Sequence, residues 1–234
     1  LQRAGFDKNL LSSVQLGIQR VLTTPLGGPL GELQLNQLSD QRRIHELKFD
    51  LPIATEGGFL RSEDLAKAFR IDASARFSDS YAEKVAGLDF CSSGFFTGSI
   101  DLIFSDGEDP SCSRWWVLDW KSNWIGQRDN EGKPHSSCPA YYHQKALEEQ
   151  MFFHHYPLQA HLYLVALHRF LQWRLPDYNP NRHLGGYVYV FLRGVPGGEA
   201  LIEMSSEKEN LGLLVEKIPY NRVMEINRLI KQGG

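Results

Sequence analysis

Cysteine is scarce in this 234-residue sequence: Cys91, Cys112 and Cys138 lie far apart, with no C-x-x-C pair. That spacing argues against a zinc ribbon, a redox dithiol or a disulfide framework, and leaves ordinary reduced thiols as the expectation. Long apolar runs are missing too. The longest, such as 162–167, fall far short of the ~20 residues that span a bilayer, and no charged-then-apolar leader opens the sequence. A cytoplasmic protein with no membrane partner is therefore expected. Positive charge is also not in excess. A net charge of −3 provides no global basic field, so any grip on nucleic acid must be local or supplied by a partner. The first residue is Leu1 rather than Met, which points to an excised piece of a larger chain.

What is present suits a packed domain. A hydrophobic content of 42% is ordinary for a folded core. The opening GFDKNLLSSVQLGIQRVLTTPLG carries Leu10, Leu11, Val14, Ile18 and Leu22 at helical spacing and stops near Pro25, Gly27 and Gly28, a helix and then a turn. IHELKFDLPI alternates as a strand does, with Ile44, Glu46 and Lys48 on one side and His45, Leu47 and Phe49 on the other. A short helix is predicted over 62–70. GFFTGSIDLIF and RWWVLDWKS, joined by SDGEDPSCS, read as a hairpin ending near Ser122. The polar stretch 125–140 is a loop. Helices follow over 141–155 and from Pro157 to Leu175, since proline is tolerated in a first turn. GGYVYVFLRGV is a further strand, and 211–230 is expected to close the chain as helix. The order predicts one α/β domain over 1–234, a mixed sheet flanked by helices, with its motif-bearing core at 44–195.

Chemistry concentrates on the hairpin. In Asp119-Trp120-Lys121, residues i and i+2 share a strand face, so an acid and a lysine project together. Asp101 interrupts an otherwise apolar arm, where a carboxylate is costly unless something cationic meets it. Across the hairpin the two acids can approach, and a divalent cation such as Mg²⁺, or Mn²⁺, would stabilise them. A backbone carbonyl such as that of Trp120, a phosphate oxygen and Glu46 are further candidate ligands. Each feature has a plainer reading. A lone D-x-K at a strand end is an ordinary surface ion pair worth under ~1 kcal/mol, Asp101 could cap a turn or pair with an arginine, and Glu46 could be a solvated edge residue. The combination of acid on one arm with acid-x-lysine on the other is what favours a metal site.

On the helix after Pro157, Ala160, Leu164, Leu167, Phe170 and Leu171 project to one face and His161, His168 and Gln172 to the other. Gln159 and Tyr163, one turn apart, fall toward the apolar side, where a glutamine needs hydrogen-bond partners. His161 and His168 are roughly 10 Å apart along the axis, too far to share one ion. They are expected at the surface or supporting a site, as are His154 and His155.

With these residues in view, the sequence resembles a family. GFFTGSIDLIF, WWVLDWKSNWIG, HHYPLQAHLYLVALHRFL and GGYVYVFLRGV, in this order, are similar to the RecB-type C-terminal nuclease domain of exodeoxyribonuclease V, in the PD-(D/E)XK superfamily. The resemblance implies a restriction-endonuclease-like core and Mg²⁺-dependent hydrolysis of DNA in double-strand break repair and recombination. It implies Asp101, Asp119 and Lys121 as the catalytic acids and lysine, Glu46 as an acid of the earlier strand, and Gln159 and Tyr163 as the Q-x-x-x-Y element of helicase-linked nucleases. The implied partners are single-stranded DNA delivered by a helicase and RecC-like and RecD-like subunits. No Walker A pattern occurs here, so the motor lies elsewhere. The family's metal-binding histidine, on an upstream helix, has no match in this sequence, so an incomplete metal shell is expected. A binding module of the same fold, and a stand-alone structure-specific endonuclease, are the competing functions.

Overall fold

The computed structural model describes residues 7–53, 58–136, 138–197 and 210–232; Leu1, Gly5 and Phe6, used in reading the opening run, lie outside them. Its helices are α1 (Leu11–Thr23), α2 (Ser62–Phe69), α3 (Asp79–Ala86), α4 (Gln144–Phe153), α5 (Tyr156–Arg174), α6 (Pro180–His183) and α7 (Tyr220–Gln232). Its strands are β1 (Arg43–Ile53), β2 (Leu60–Arg61), β3 (Cys91–Ser92), β4 (Gly94–Ser105), β5 (Trp115–Lys121), β6 (Leu184–Phe191) and β7 (Leu213–Lys217). Five strands form one sheet in the order β1-β4-β5-β6-β7. β4 pairs antiparallel with both β1 and β5. β5 and β6 run parallel, Gly185 lying against Trp116 and the Leu192 amide donating to the Lys121 carbonyl. β6 and β7 are antiparallel, through Phe191 to Gly212 and Ile218 to Gly185. The sheet is mixed and helix-flanked.

By internal contacts the chain divides into two units, one of Leu1–Leu38, Trp120–Leu147 and Tyr189–Val215, the other of Ser39–Asp119, Glu148–Val188 and Glu216–Gly234. In the first, Tyr142 organises the chain after β5. Its hydroxyl accepts from the Ile125 amide (3.1 Å) and donates to the Asn123 carbonyl (3.0 Å). Gly194 fits because a Cβ there would stand 2.3 Å from the Tyr142 ring.

The second unit carries the larger core, with Ile100, Ile103, Phe104, Leu118, Leu164 and Val188 fully buried. Arg222 of α7 is also buried, over the Phe69 ring, and donates to the carbonyls of Phe77 (2.9 Å), Phe69 (2.8 Å) and Asp72 (2.9 Å). A planar guanidinium with five donors suits such a task, closing the chain after α2. Removing it strands two buried carbonyls and one half-buried one, costing about 1–3 kcal/mol each where burial is complete. Arg222→Met is expected to destabilise by ~3 kcal/mol, a fall of roughly 6–12 °C in Tm for a domain of this size, read in a melting curve.

Two expectations need correction. The stretch 211–230 is not helical throughout: β7 occupies Leu213–Lys217 before α7 begins. Gly212, at φ +73°, and Pro219 isolate a short apolar run that gains its hydrogen bonds from β6, a tertiary choice that periodicity does not reveal. The histidines of α5 are not at the surface. His161 is 0% exposed, Nδ1 donating to the Pro157 carbonyl at 2.6 Å with Phe69 edge-on to its ring, and His168 is buried against the Tyr178 hydroxyl. α5 packs against α7, and its Tyr163 and His161 rings meet Phe49 of β1 and Tyr187 of β6, so its central turns have no solvated side.

Burial, with the Arg222 charge nearby, pushes the His161 pKa down to about 3, and burial with Lys231 and Arg169 pushes His168 to about 4. These rings stay neutral in the folded chain while unfolded histidine takes a proton below about pH 6.5. Stability is thus fully present above that pH and is lost as pH falls toward 4 and then 3, by about 1.4 kcal/mol per pH unit for each ring. Urea unfolding of His161→Phe beside the wild type is expected to show a slope shallower by one proton below pH 6.

Candidate active site

The registers converge on one row of acids. In the β4–β5 ladder Leu102 faces Leu118, and one further step sets Asp101 opposite Asp119. In the β1–β4 ladder, His45 faces Leu102 and Leu47 faces Ile100, which brackets Glu46 opposite Asp101. Glu46 itself makes no ladder pair and has φ +50°, a left-handed backbone uncommon for a non-glycine residue. It is exposed, Asp101 is half-buried and Asp119 is 5% exposed. Among the described residues no three of His, Cys, Asp and Glu converge on one point. Glu46 therefore shares the row without joining the pair.

α5 brings the remaining polar groups. His155, at φ +57°, turns the chain out of α4, and Pro157 sits in the first turn of α5, so Gln159 and Tyr163, four apart, lie on one face. Gln159 Nε2 donates to the Tyr163 hydroxyl at 2.9 Å, and the Asp119 charge acts on that hydroxyl. Tyr163 is 9% exposed. Its pKa is pushed up to about 12, first by burial and then by the charges of Asp119 and Asp101. Both carboxylates thus act on one phenol, which remains a neutral donor at any ordinary assay pH. Phe49 braces the far side of that ring, edge-on at 5.8 Å. Its own ring crosses Gly98, where a Cβ would stand 2.6 Å from Cζ. Phe49 and Gly98 escaped the sequence reading because nothing in their spacing marks them.

Lys121 follows Asp119 by two residues and ends β5. It belongs to the other unit, where its Nζ stands 5.1 Å from the Tyr189 ring centroid. Trp120, between them, is half-buried. The three cysteines are exposed thiols, and no helix among the described residues is long and apolar enough to cross a membrane.

A mixed five-strand sheet flanked by helices, with paired acids on adjacent strands at its middle, defines the restriction-endonuclease-like, PD-(D/E)XK core. Comparison with known proteins takes the assignment further. The chain is similar to RecBCD enzyme subunit RecB of Mycobacterium tuberculosis, 39% identical over 222 residues, covering 90% of this chain and 18% of that protein. RecB of Escherichia coli is 34% identical over 196 residues, 82% of this chain and 15% of the relative. RecB of Mycolicibacterium smegmatis is 34% identical over 183 residues, 74% and 16%. No family model matches. The chain is thus similar to this subunit over 74–90% of its own length, and spans less than a fifth of the length of these curated relatives.

Proposed function

We propose that this chain is a metal-dependent DNA nuclease domain that hydrolyses phosphodiester bonds within a RecBCD-like helicase–nuclease, in double-strand break repair and recombination. The observation that carries the reading is the strand register that sets Asp101 opposite the buried Asp119, with both charges acting on the Tyr163 phenol that Gln159 holds. A buried carboxylate set opposite a second one is poorly explained as a surface ion pair.

The donor set fits Mg²⁺, with Mn²⁺ as the substitute. Mg²⁺ takes hard oxygen ligands, keeps several waters and is held by one or two carboxylates plus substrate phosphate, so a pair of aspartates suffices. Asp101 and Asp119 would hold the ion, with the Trp120 carbonyl as a further oxygen, while Glu46 stays outside the pair. When bound, the ion supplies a water of lowered pKa and neutralises charge on the attacked phosphate. Tyr163 fixes the orientation of the Asp119 carboxylate, and Gln159 fixes the Tyr163 hydroxyl. Lys121 orients the attacking water or stabilises the charge that develops. In this reading single strands reach the site from a helicase motor elsewhere in the assembly, RecC-like and RecD-like subunits are the partners, and the complex works in the cytoplasm.

The test is cleavage of single-stranded DNA by the purified chain, with arms in Mg²⁺, Mn²⁺ and chelator. Cleavage that requires either metal and stops on chelation is expected. Cleavage that continues in chelator would contradict the reading.

A further inference from the structure

The residues that join α4 to α5 present an aromatic cluster that the acids and the Gln159–Tyr163 pair do not account for. Phe153 is 70% exposed, and its ring meets the His154 ring edge-on at 5.0 Å. His154, also exposed, stacks on Tyr156 at 5.2 Å with only 20° between the planes. Lys84 of α3 donates to the carbonyls of Phe152 (2.7 Å) and Phe153 (3.1 Å), and its ammonium stands 5.5 Å from the Phe153 ring centroid. One exposed phenylalanine means little on a protein surface. Three aromatic rings in successive contact, the first of them beside a fixed cation, are a different matter, and the helical phase of Tyr156 is informative. At 100° per residue, Tyr156, Gln159 and Tyr163 fall within one sector of about 60°. From Tyr156 to Tyr163 is roughly 10 Å along the axis, room for about two or three nucleotides at the ~3.4 Å spacing of a stacked strand.

We propose that Phe153, His154 and Tyr156 form a stacking platform for the unpaired bases of single-stranded DNA, continuous along α5 with Gln159, Tyr163 and Asp119. Aromatic faces hold bases without regard to sequence, and a neighbouring cation compensates the phosphate. Bases inside a duplex have their faces covered, so the platform selects an unpaired strand. In a chain of net charge −3 such a local hold is what a strand needs near two carboxylates that repel its phosphates. The inference rests on the nuclease reading for its choice of DNA as the ligand.

The experiment measures binding in chelator by fluorescence anisotropy, with a labelled oligothymidylate, an abasic strand of equal length and the oligothymidylate annealed to its complement as probes. Wild type is expected to bind the oligothymidylate more tightly than either other probe. Phe153→Leu and His154→Ala are expected to weaken oligothymidylate binding about five- to 150-fold, the equivalent of ~1–3 kcal/mol per stacked base, with abasic affinity unchanged. Phe153→Tyr keeps a ring and retains binding. A melting curve confirms that each variant folds, as exposed positions should allow. Wild type that binds the abasic strand or the duplex as tightly, or Phe153→Leu that binds oligothymidylate like wild type or loses the abasic strand in parallel, overturns the platform. Cleavage assays run alongside keep the two ideas apart. Loss of oligothymidylate binding in Phe153→Leu together with undiminished cleavage by Asp119→Ala defeats the nuclease reading alone, and the reverse pattern defeats the platform alone.

Discussion

Asp119→Ala is expected to abolish metal-dependent cleavage while leaving DNA binding largely intact. Asp119 is the more buried of the paired acids, and its charge acts on the Tyr163 phenol that Gln159 holds. Losing its carboxylate removes a ligand of the ion that supplies both nucleophile and charge stabilisation. The fold is expected to survive, because removing one of two acids that repel each other relieves strain in the metal-free protein. Nuclease assays on single-stranded DNA with Mg²⁺, run beside a binding assay and a melting curve, separate these effects. Undiminished cleavage by a purified, folded variant would defeat the assignment of Asp119.

Lys121→Ala is the second large effect. If the ammonium stabilises charge that develops at the phosphate, its loss costs ~10²-fold or more in kcat, as losing one such donor does elsewhere. KM is expected to change little, since the interaction is made in the transition state and not in the bound ground state. The Lys121 side chain also stands over the Tyr189 ring, a contact that contributes ~0.5–1 kcal/mol at a partly exposed site, so the melting temperature should fall only slightly. A variant that raises KM at constant kcat would recast Lys121 as a residue that merely attracts the strand.

Much of this arrangement was legible before the fold was known, for identifiable reasons. Period-two alternation in IHELKFDLPI and the β-rich arms around SDGEDPSCS mark β1, β4 and β5. Pro157 marks the start of α5. The pairing of Gln159 with Tyr163 follows from a spacing of four. Tertiary context hid the rest. Arg222 looks like a solvated charge on α7 until three carbonyls are seen to enclose it. His161 and His168 look polar because a helical projection assumes that one side faces water, and α5 has neighbours on both. The left-handed backbone of Glu46 leaves no trace in an alternating run. β7 is too short for periodicity to separate it from helix. The clearest case is Phe153, His154 and Tyr156, whose mutual contact depends on the positive φ of His155.

The central claim, that Asp101 and Asp119 hold a catalytic ion, is tested most directly by the anomalous signal of Mn²⁺ in crystals of this chain soaked with the ion. One manganese peak between the two carboxylates is predicted, and it should vanish in Asp119→Ala crystals. A well-ordered peak found only elsewhere, or one between them that survives the substitution, would contradict the account.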